Sequence, residues 1–296
     1  MASPRQIKLF TVDAFANRAF EGNPAAVCPL NFDTDLDDDT LQKVAMEMNL
    51  SETAYIRPLN ATDDHRTGNR FGLRWFTTTE EVKLCGHATL ASAAVLFYEI
   101  GNTSDKITFE TLSGELVVRR DGDHLLMDFP IGLTQHRIAA DYDGVIKALG
   151  VLPGVQDVTW CPSLSYLLVR LNDGWTRADF EQWQPDIGQL ERSVTGVIVL
   201  IVTTRGGRQQ GFADQAGRDY DFVSRCFAPW SGIAEDPVTG SAQTVLGYYW
   251  GQQLAKEEFY TRQCSQRGGE IEIRVEGDRV HLRGKATLVL KGVLHI

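Results

Sequence analysis

In the stretch KLCGHATLASAAVLF, residues 83–97, Cys85, Gly86 and His87 stand directly before a run of small and apolar residues. A thiol and an imidazole two positions apart at a helix start can move protons, although a helix entry with a polar cap would use the same residues. A second start of this kind is AEDPVTGSA, residues 234–242, which brings Asp236, Thr239, Gly240 and Ser241 ahead of another apolar run. Helix N-termini expose unpaired backbone N–H groups and carry partial positive charge, so both starts suit a carboxylate ligand. Thr239 and Ser241 equally suit plain N-capping, and the glycines a tight entry turn. The third candidate is Glu52 in NLSETAYI, where Glu52, Ala54 and Ile56 alternate onto one strand face. A carboxylate on an apolar face is desolvated, and its raised pKa makes it a general acid or base. The plainer alternative is a strand-edge glutamate in water. Burial, with Asp236 nearby, is expected to raise the Glu52 pKa, and a protonated His87 to oppose that shift.

Other chemistries fit less well. There is no G-x-G-x-x-G, P-loop or H-E-x-x-H pattern, and the six histidines show no ligand spacing with the cysteines. Neither a metal nor an organic cofactor thus finds a motif here to hold it, and the residues fit those chemistries poorly. RGGRQQG at 205–211 reads as a polar loop. A net charge of -10 argues against a nucleic-acid partner, which needs clustered Lys and Arg. The longest aliphatic run, Val197–Val202, is too short for a membrane and right for a buried strand. The N-terminus lacks the apolar core of a signal peptide. Five scattered cysteines, an odd number, read as free thiols in a reducing compartment, so the expected location is cytoplasmic.

These residues need elements to hold them. IKLFTVDAF and EGNPAAVCPL read as strands. TDLDDDTLQKVAMEM reads as an amphipathic helix with an acidic first turn and Leu41, Val44, Ala45 and Met48 on its apolar face. ETAYI and FGLRWF follow as strands. Residues 88–100 are predicted to be one helix, apolar on every side, which belongs inside a shell rather than on a surface; a second such helix follows residue 240. The chain also repeats itself. SGELVVRRDGD (113–123) matches GGEIEIRVEGD (268–278), RWF at 74 matches RCF at 225, and Gly86 matches Gly240, in the same order and at nearly equal offsets. Two halves of 296 residues, each a strand-rich shell around one buried helix, imply a cleft between them.

VDAFANRAFEGNPAAV, EMNLSETAYI, LRWFTTTEEVKLCGHATLASAAV, FAPWSGIAEDPVTGSA and QRGGEI together resemble the phenazine-biosynthesis isomerase family, over about residues 7–294. The resemblance implies an α+β protein of diaminopimelate-epimerase-like fold. It would have two pseudo-symmetric domains, each a barrel-like sheet around a central buried helix: residues 1–122 with a return strand 289–296, and residues 123–288. It implies a cofactor-independent isomerase that moves a proton on a small carboxylate-bearing molecule between the domains, and a homodimer as the assembly. Glu52 matches the family's catalytic acid/base, and His87 and Asp236 its other cleft residues. Ser51, Gly86, Gly240 and Ser241 match substrate contacts, with Cys85 beside them. Epimerases that share the fold carry a thiol at each helix start. Here Cys85 is present, but the second position resembles Asp236. Two alternatives stay open: a racemase or epimerase using Cys85 as one base, and a non-catalytic protein that binds a metabolite or another protein.

Overall fold

The computed structural model describes residues 6–151 and 154–296. The reading of the N-terminus rests partly on residues 1–5, which lie outside them. The chain packs into two units, one ending at Asp128 and rejoined by Arg283–Ile296, the other running from Phe129 to Leu282.

In the first unit, β1 (Gln6–Ala14) pairs antiparallel with β2 (Asn23–Pro29) and with the last strand, Ala286–His295. The chain then forms α1 (Asp38–Met48) and returns as β3 (Glu52–Pro58), parallel to β2. β4 (Arg70–Phe76) lies antiparallel to β3 and to the short β5 (Glu81–Val82). After α2 (Gly86–Ala94) the chain re-enters as β6 (Lys106–Thr111), parallel to β4, and continues antiparallel through β7 (Gly114–Asp121) and β8 (His124–Pro130). α1 starts as its sequence predicts. Asp37 caps it by accepting the Thr40 N–H at 2.9 Å, Asp38 and Asp39 occupy the first turn, and Leu41, Val44 and Ala45 are buried. These three pack with Cys28, Tyr55 and Phe76 on one side of the sheet, and the Tyr55 hydroxyl donates to Leu41 O at 2.7 Å. β3 is thus covered on both faces. Tyr55 lies under α1, and the alternate residues Ala54 and Ile56 are fully buried on the other side.

Every residue of α2 from His87 to Ala94 is buried, in line with the apolar pattern. The single helix expected over 88–100 does not hold to its end. From Val95 to Ile100 the winding is a π-helix, closed by Gly101 at φ 78°. Where all faces are apolar, side-chain pattern cannot distinguish 3.6 residues per turn from a wider turn.

The second unit opens with β9 (Gln135–Arg137) and α3 (Asp143–Leu149) before β10 (Val155–Cys161), which pairs antiparallel with β9 and with β11 (Tyr166–Leu171). Two short helices, α4 (Arg177–Gln182) and α5 (Ile187–Ser193), lead to β12 (Val199–Arg205), parallel to β11. β13 (Phe222–Ala228) is antiparallel to β12 and to β14 (Ile233–Asp236). After α6 (Gly240–Leu254), β15 (Glu258–Gln263) runs parallel to β13, and β16 (Gly269–Glu276) and β17 (Arg279–Gly284) complete the unit. The sheet wraps α6. Tyr249 donates to Asp157 of β10, Ser241 meets Tyr166 of β11, the Trp250 indole donates to Thr203 of β12 and stacks on Phe222 of β13, and Thr239 bonds Gln263 of β15.

The repeat read from sequence is a repeat of topology. The order parallel, antiparallel, antiparallel, helix, parallel, antiparallel that runs from β2 to β7 recurs from β11 to β16. β7 and β16, the matched segments, both end in a turn on a left-handed glycine, Gly122 at φ 63° and Gly277 at φ 61°. An L side chain is disfavoured there, so the glycine is part of the repeat. All five cysteines are free and buried.

Candidate active site

Glu52 begins β3, and Cys85 and His87 flank the first residue of α2. The sheet delivers the strand end to the helix mouth, and the three side chains meet inside the first unit. His87 Nε2 and Glu52 Oε2 are 2.9 Å apart, with the side chains 8% and 13% exposed. The carboxylate oxygen lies off the ring N–H direction, so charge rather than a well-aligned hydrogen bond holds the contact. The other ring nitrogen, Nδ1, lies 3.5 Å from Cys85 Sγ. Ser51, next to Glu52, contacts the Asn23 side chain at 3.4 Å rather than any of these three.

The electrostatics correct one expectation. Burial is the largest single influence and pushes the Glu52 carboxyl up, but the charge of His87 together with the close contacts of His87 and Cys85 outweighs it, and the carboxyl sits below its ordinary value rather than above it. Burial opposes protonation of His87, yet its neighbours Cys85 and Glu52 carry the imidazole well above its ordinary value. Burial, then the Glu52 charge, pushes the Cys85 thiol up to about 11. A thiol held neutral carries no charge at neutral pH, so Glu52 is the partner that keeps the imidazole protonated. The resting state is carboxylate, imidazolium and thiol.

Among the described residues, Glu52, Cys85 and His87 form a group of metal-type donors, with one donor atom of each lying within 4.8 Å of the others. The thiol contacts one nitrogen of the ring and the carboxylate the other, and the thiol also lies close to the carboxylate.

The second unit gathers the other predicted residues. Asp236 ends β14, and its Oδ2 accepts from the Thr239 hydroxyl at 2.5 Å. Gln263 braces this turn twice: its Oε1 accepts the Thr239 N–H at 2.9 Å and its Nε2 donates to Asp236 O at 2.7 Å. Gly240 and Ser241 are the first two residues of α6, and Ser241 Oγ lies 2.8 Å from the Tyr166 hydroxyl. Neither Thr239 nor Cys85, each the residue before its helix, uses its side chain as a cap. Plain N-capping is thus not what Thr239 does.

Sequence reasoning missed Gln263 and Tyr166, and neither carries a local signal, because each acts across the sheet. It marked Arg74 and Arg225 only as parts of a repeat. Arg225, 2% exposed, clamps Glu235 of β14 through two bonds of 2.7 and 2.8 Å, and Arg74 clamps Glu81 of β5 through two bonds of the same lengths.

The register of β3 on β4 sets Thr53 opposite Phe76, and that of β12 on β13 sets Leu200 opposite Phe227. Because RWF and RCF correspond, Glu52 corresponds to Val199. The helix starts make Cys85 correspond to Thr239 and His87 to Ser241. The titratable cluster belongs to one half only. The position equivalent to Cys85 holds Thr239, with Asp236 bonded to it, rather than Asp236 itself.

Two topologically matched sheets, each with a buried helix, make a fold that solved epimerase and isomerase structures share. The model of the phenazine biosynthesis-like protein family matches residues 12–292, and the chain belongs to that family. The human phenazine biosynthesis-like domain-containing protein is 47% identical over 295 residues, covering 98% of this chain and 99% of that one. An uncharacterized isomerase of Pseudomonas aeruginosa is 43% identical over 292 residues, 98% and 100% of the two chains. The crystal structure of an Enterococcus faecalis protein of the phenazine biosynthesis PhzF family superposes with a TM-score of 0.84 at 33% identity, covering 99% of this chain and 100% of that one. A hydroxyproline epimerase from Agrobacterium vitis shares the fold, with a TM-score of 0.53 at 12% identity over 99% and 93% of the chains. Among the described residues no helix is long and apolar enough to cross a membrane.

Proposed function

We propose that the chain is an isomerase that moves a proton between carbons of a small carboxylate-bearing substrate without an organic cofactor. Glu52 takes the proton and returns it, beside His87. The buried Glu52–His87 contact of 2.9 Å carries this reading. A carboxylate beside an imidazolium is a weak base at rest, but the balance changes during the reaction. As Glu52 gains the proton it loses its charge, and the imidazolium is left unneutralised while negative charge develops on the substrate. Charge stabilisation that strengthens along the reaction is what lowers a barrier. Gly86 at the start of α2 and Ser51 would hold the substrate carboxylate beside Glu52, and Gly240, Ser241 and Asp236 at the start of α6 would offer a carboxylate-holding helix mouth of the same kind.

A racemase that uses Cys85 as one of two bases has less support. The thiol is pushed up to about 11, and the equivalent residue of the second unit is Thr239. The test uses a carboxylate compound found by thermal-shift screening, with deuterium wash-in from heavy water measured for the wild type and for Glu52→Gln. The variant should bind nearly as well and exchange on the order of a hundredfold more slowly. Equal wash-in would overturn the role of Glu52, and wash-in by neither protein would favour a binding protein.

A further inference from the structure

We propose that Cys85 is a positioning residue, whose thiol occupies Nδ1 of His87 and so presents Nε2 to Glu52. The inference rests on the proton-transfer reading of the site. Three observations lead to it. First, Sγ stands 3.5 Å from Nδ1, while the 2.9 Å contact with Glu52 is made at the other ring nitrogen. A doubly protonated ring needs an acceptor at each nitrogen, and the sulfur is the acceptor at the first. Second, Cys85 is the residue before α2 and makes no side-chain cap there, which leaves its side chain to the ring and the neighbouring Glu52. Third, the same device recurs without a thiol. Thr239, the equivalent residue of the second unit, also leaves α6 uncapped and donates its hydroxyl to Asp236 at 2.5 Å. At each buried helix, the residue before the first turn thus holds a functional group instead of the helix end.

The same chain of contacts, thiol to imidazole to carboxylate, is also that of a nucleophile with its base and orienting acid. Two features argue for holding over attacking. Burial and the Glu52 charge keep the thiol protonated, and the imidazole, already an imidazolium, has no vacant nitrogen to receive its proton. Glu52 and Cys85 are the titratable groups acting on His87 among the described residues.

The test needs no substrate. Nitrogen-15 NMR of the imidazole follows His87 through a pH titration in the wild type, Cys85→Ala and Cys85→Ser. Losing the Nδ1 acceptor should lower the His87 midpoint by about one unit, a tenfold change in its protonation equilibrium, and the serine hydroxyl should restore most of it. An unchanged midpoint in Cys85→Ala would overturn the proposal. So would alkylation of native Cys85 by iodoacetamide at neutral pH at the rate of a free thiolate, which would make the thiol a nucleophile. A variant that fails to fold shows itself in the amide spectrum, and the serine variant then decides: a wild-type midpoint supports the proposal and a lowered one sinks it. The Glu52→Gln exchange experiment is separate. Exchange lost there, with the His87 midpoint indifferent to Cys85, would remove the role of the thiol and leave the reaction intact.

Discussion

The two units share one topology and divide its chemistry. Where the first has Glu52, Cys85 and His87, the corresponding positions of the second are Val199, Thr239 and Ser241, and its carboxylate, Asp236, sits one turn before the helix, bonded to Thr239. The arginine clamps contrast in the opposite sense. In Arg225–Glu235 the arginine is buried and also donates to Phe180 O and Trp183 O, whereas Arg74 makes the same two bonds to Glu81 and a third to Asp38 but is 38% exposed. A duplicated frame therefore keeps its hydrogen-bonded joints in both copies. Its side chains at the helix mouths are free to diverge, because a joint holds the sheet and a mouth holds only what binds there.

Removing the clamps should give the largest contrast. Arg225→Ala leaves the partly buried Glu235 and two backbone carbonyls, one of them fully buried, without their partner and should cost about 3 kcal/mol, the lower end of the range for breaking a buried ion pair. Urea unfolding with a probe in the second unit measures it, and a loss under about 1 kcal/mol would show that the clamp is ornamental there. Next comes the pH dependence. The depressed Glu52 carboxyl adds stability above its unfolded value, near 4.3, that is lost as pH falls through the folded value. The raised His87 adds stability below its unfolded value, near 6.5, that is lost as pH rises through the folded value. The pair should thus stabilise the first unit most between about pH 4.3 and 6.5. Glu52→Gln should flatten that window in urea midpoints taken from pH 4 to 9, and an unchanged profile would contradict the charge assignment. Tyr166→Phe, which removes the hydroxyl from Ser241, should cost about 0.5–1.5 kcal/mol and weaken carboxylate binding; unaltered affinity would take Tyr166 out of the site. The smallest effect is Arg74→Ala, at most about 1 kcal/mol because water screens the pair. A larger loss would erase the distinction between the two clamps.

Much of this contrast is legible in the sequence, for reasons that differ by residue. The buried helices show themselves because Leu90, Ala91, Ala93 and Val95 leave no polar face. The halves show themselves because a left-handed turn demands glycine, which keeps Gly122 and Gly277 in step. Glu52 stands out as a carboxylate alternating with Ala54 and Ile56. Its titration was not legible, since the sign depends on whether His87, 35 positions away, lies at 3 or at 10 Å. Gln263 and Tyr166 reach their partners across the sheet and leave no local trace. The π-wound end of the buried helix is hidden by the uniformity that revealed the helix.

The five buried thiols turn the molecule into its own stopwatch. Cys28 and Cys85 lie in the first unit, and Cys161, Cys226 and Cys264 in the second. With each shut away from solvent, a thiol reagent labels a cysteine only when its surroundings open, so the order in which the five acquire mass records which half breathes first. That clock runs on native residues, with no engineered probe, and it times each copy of the duplicated frame separately.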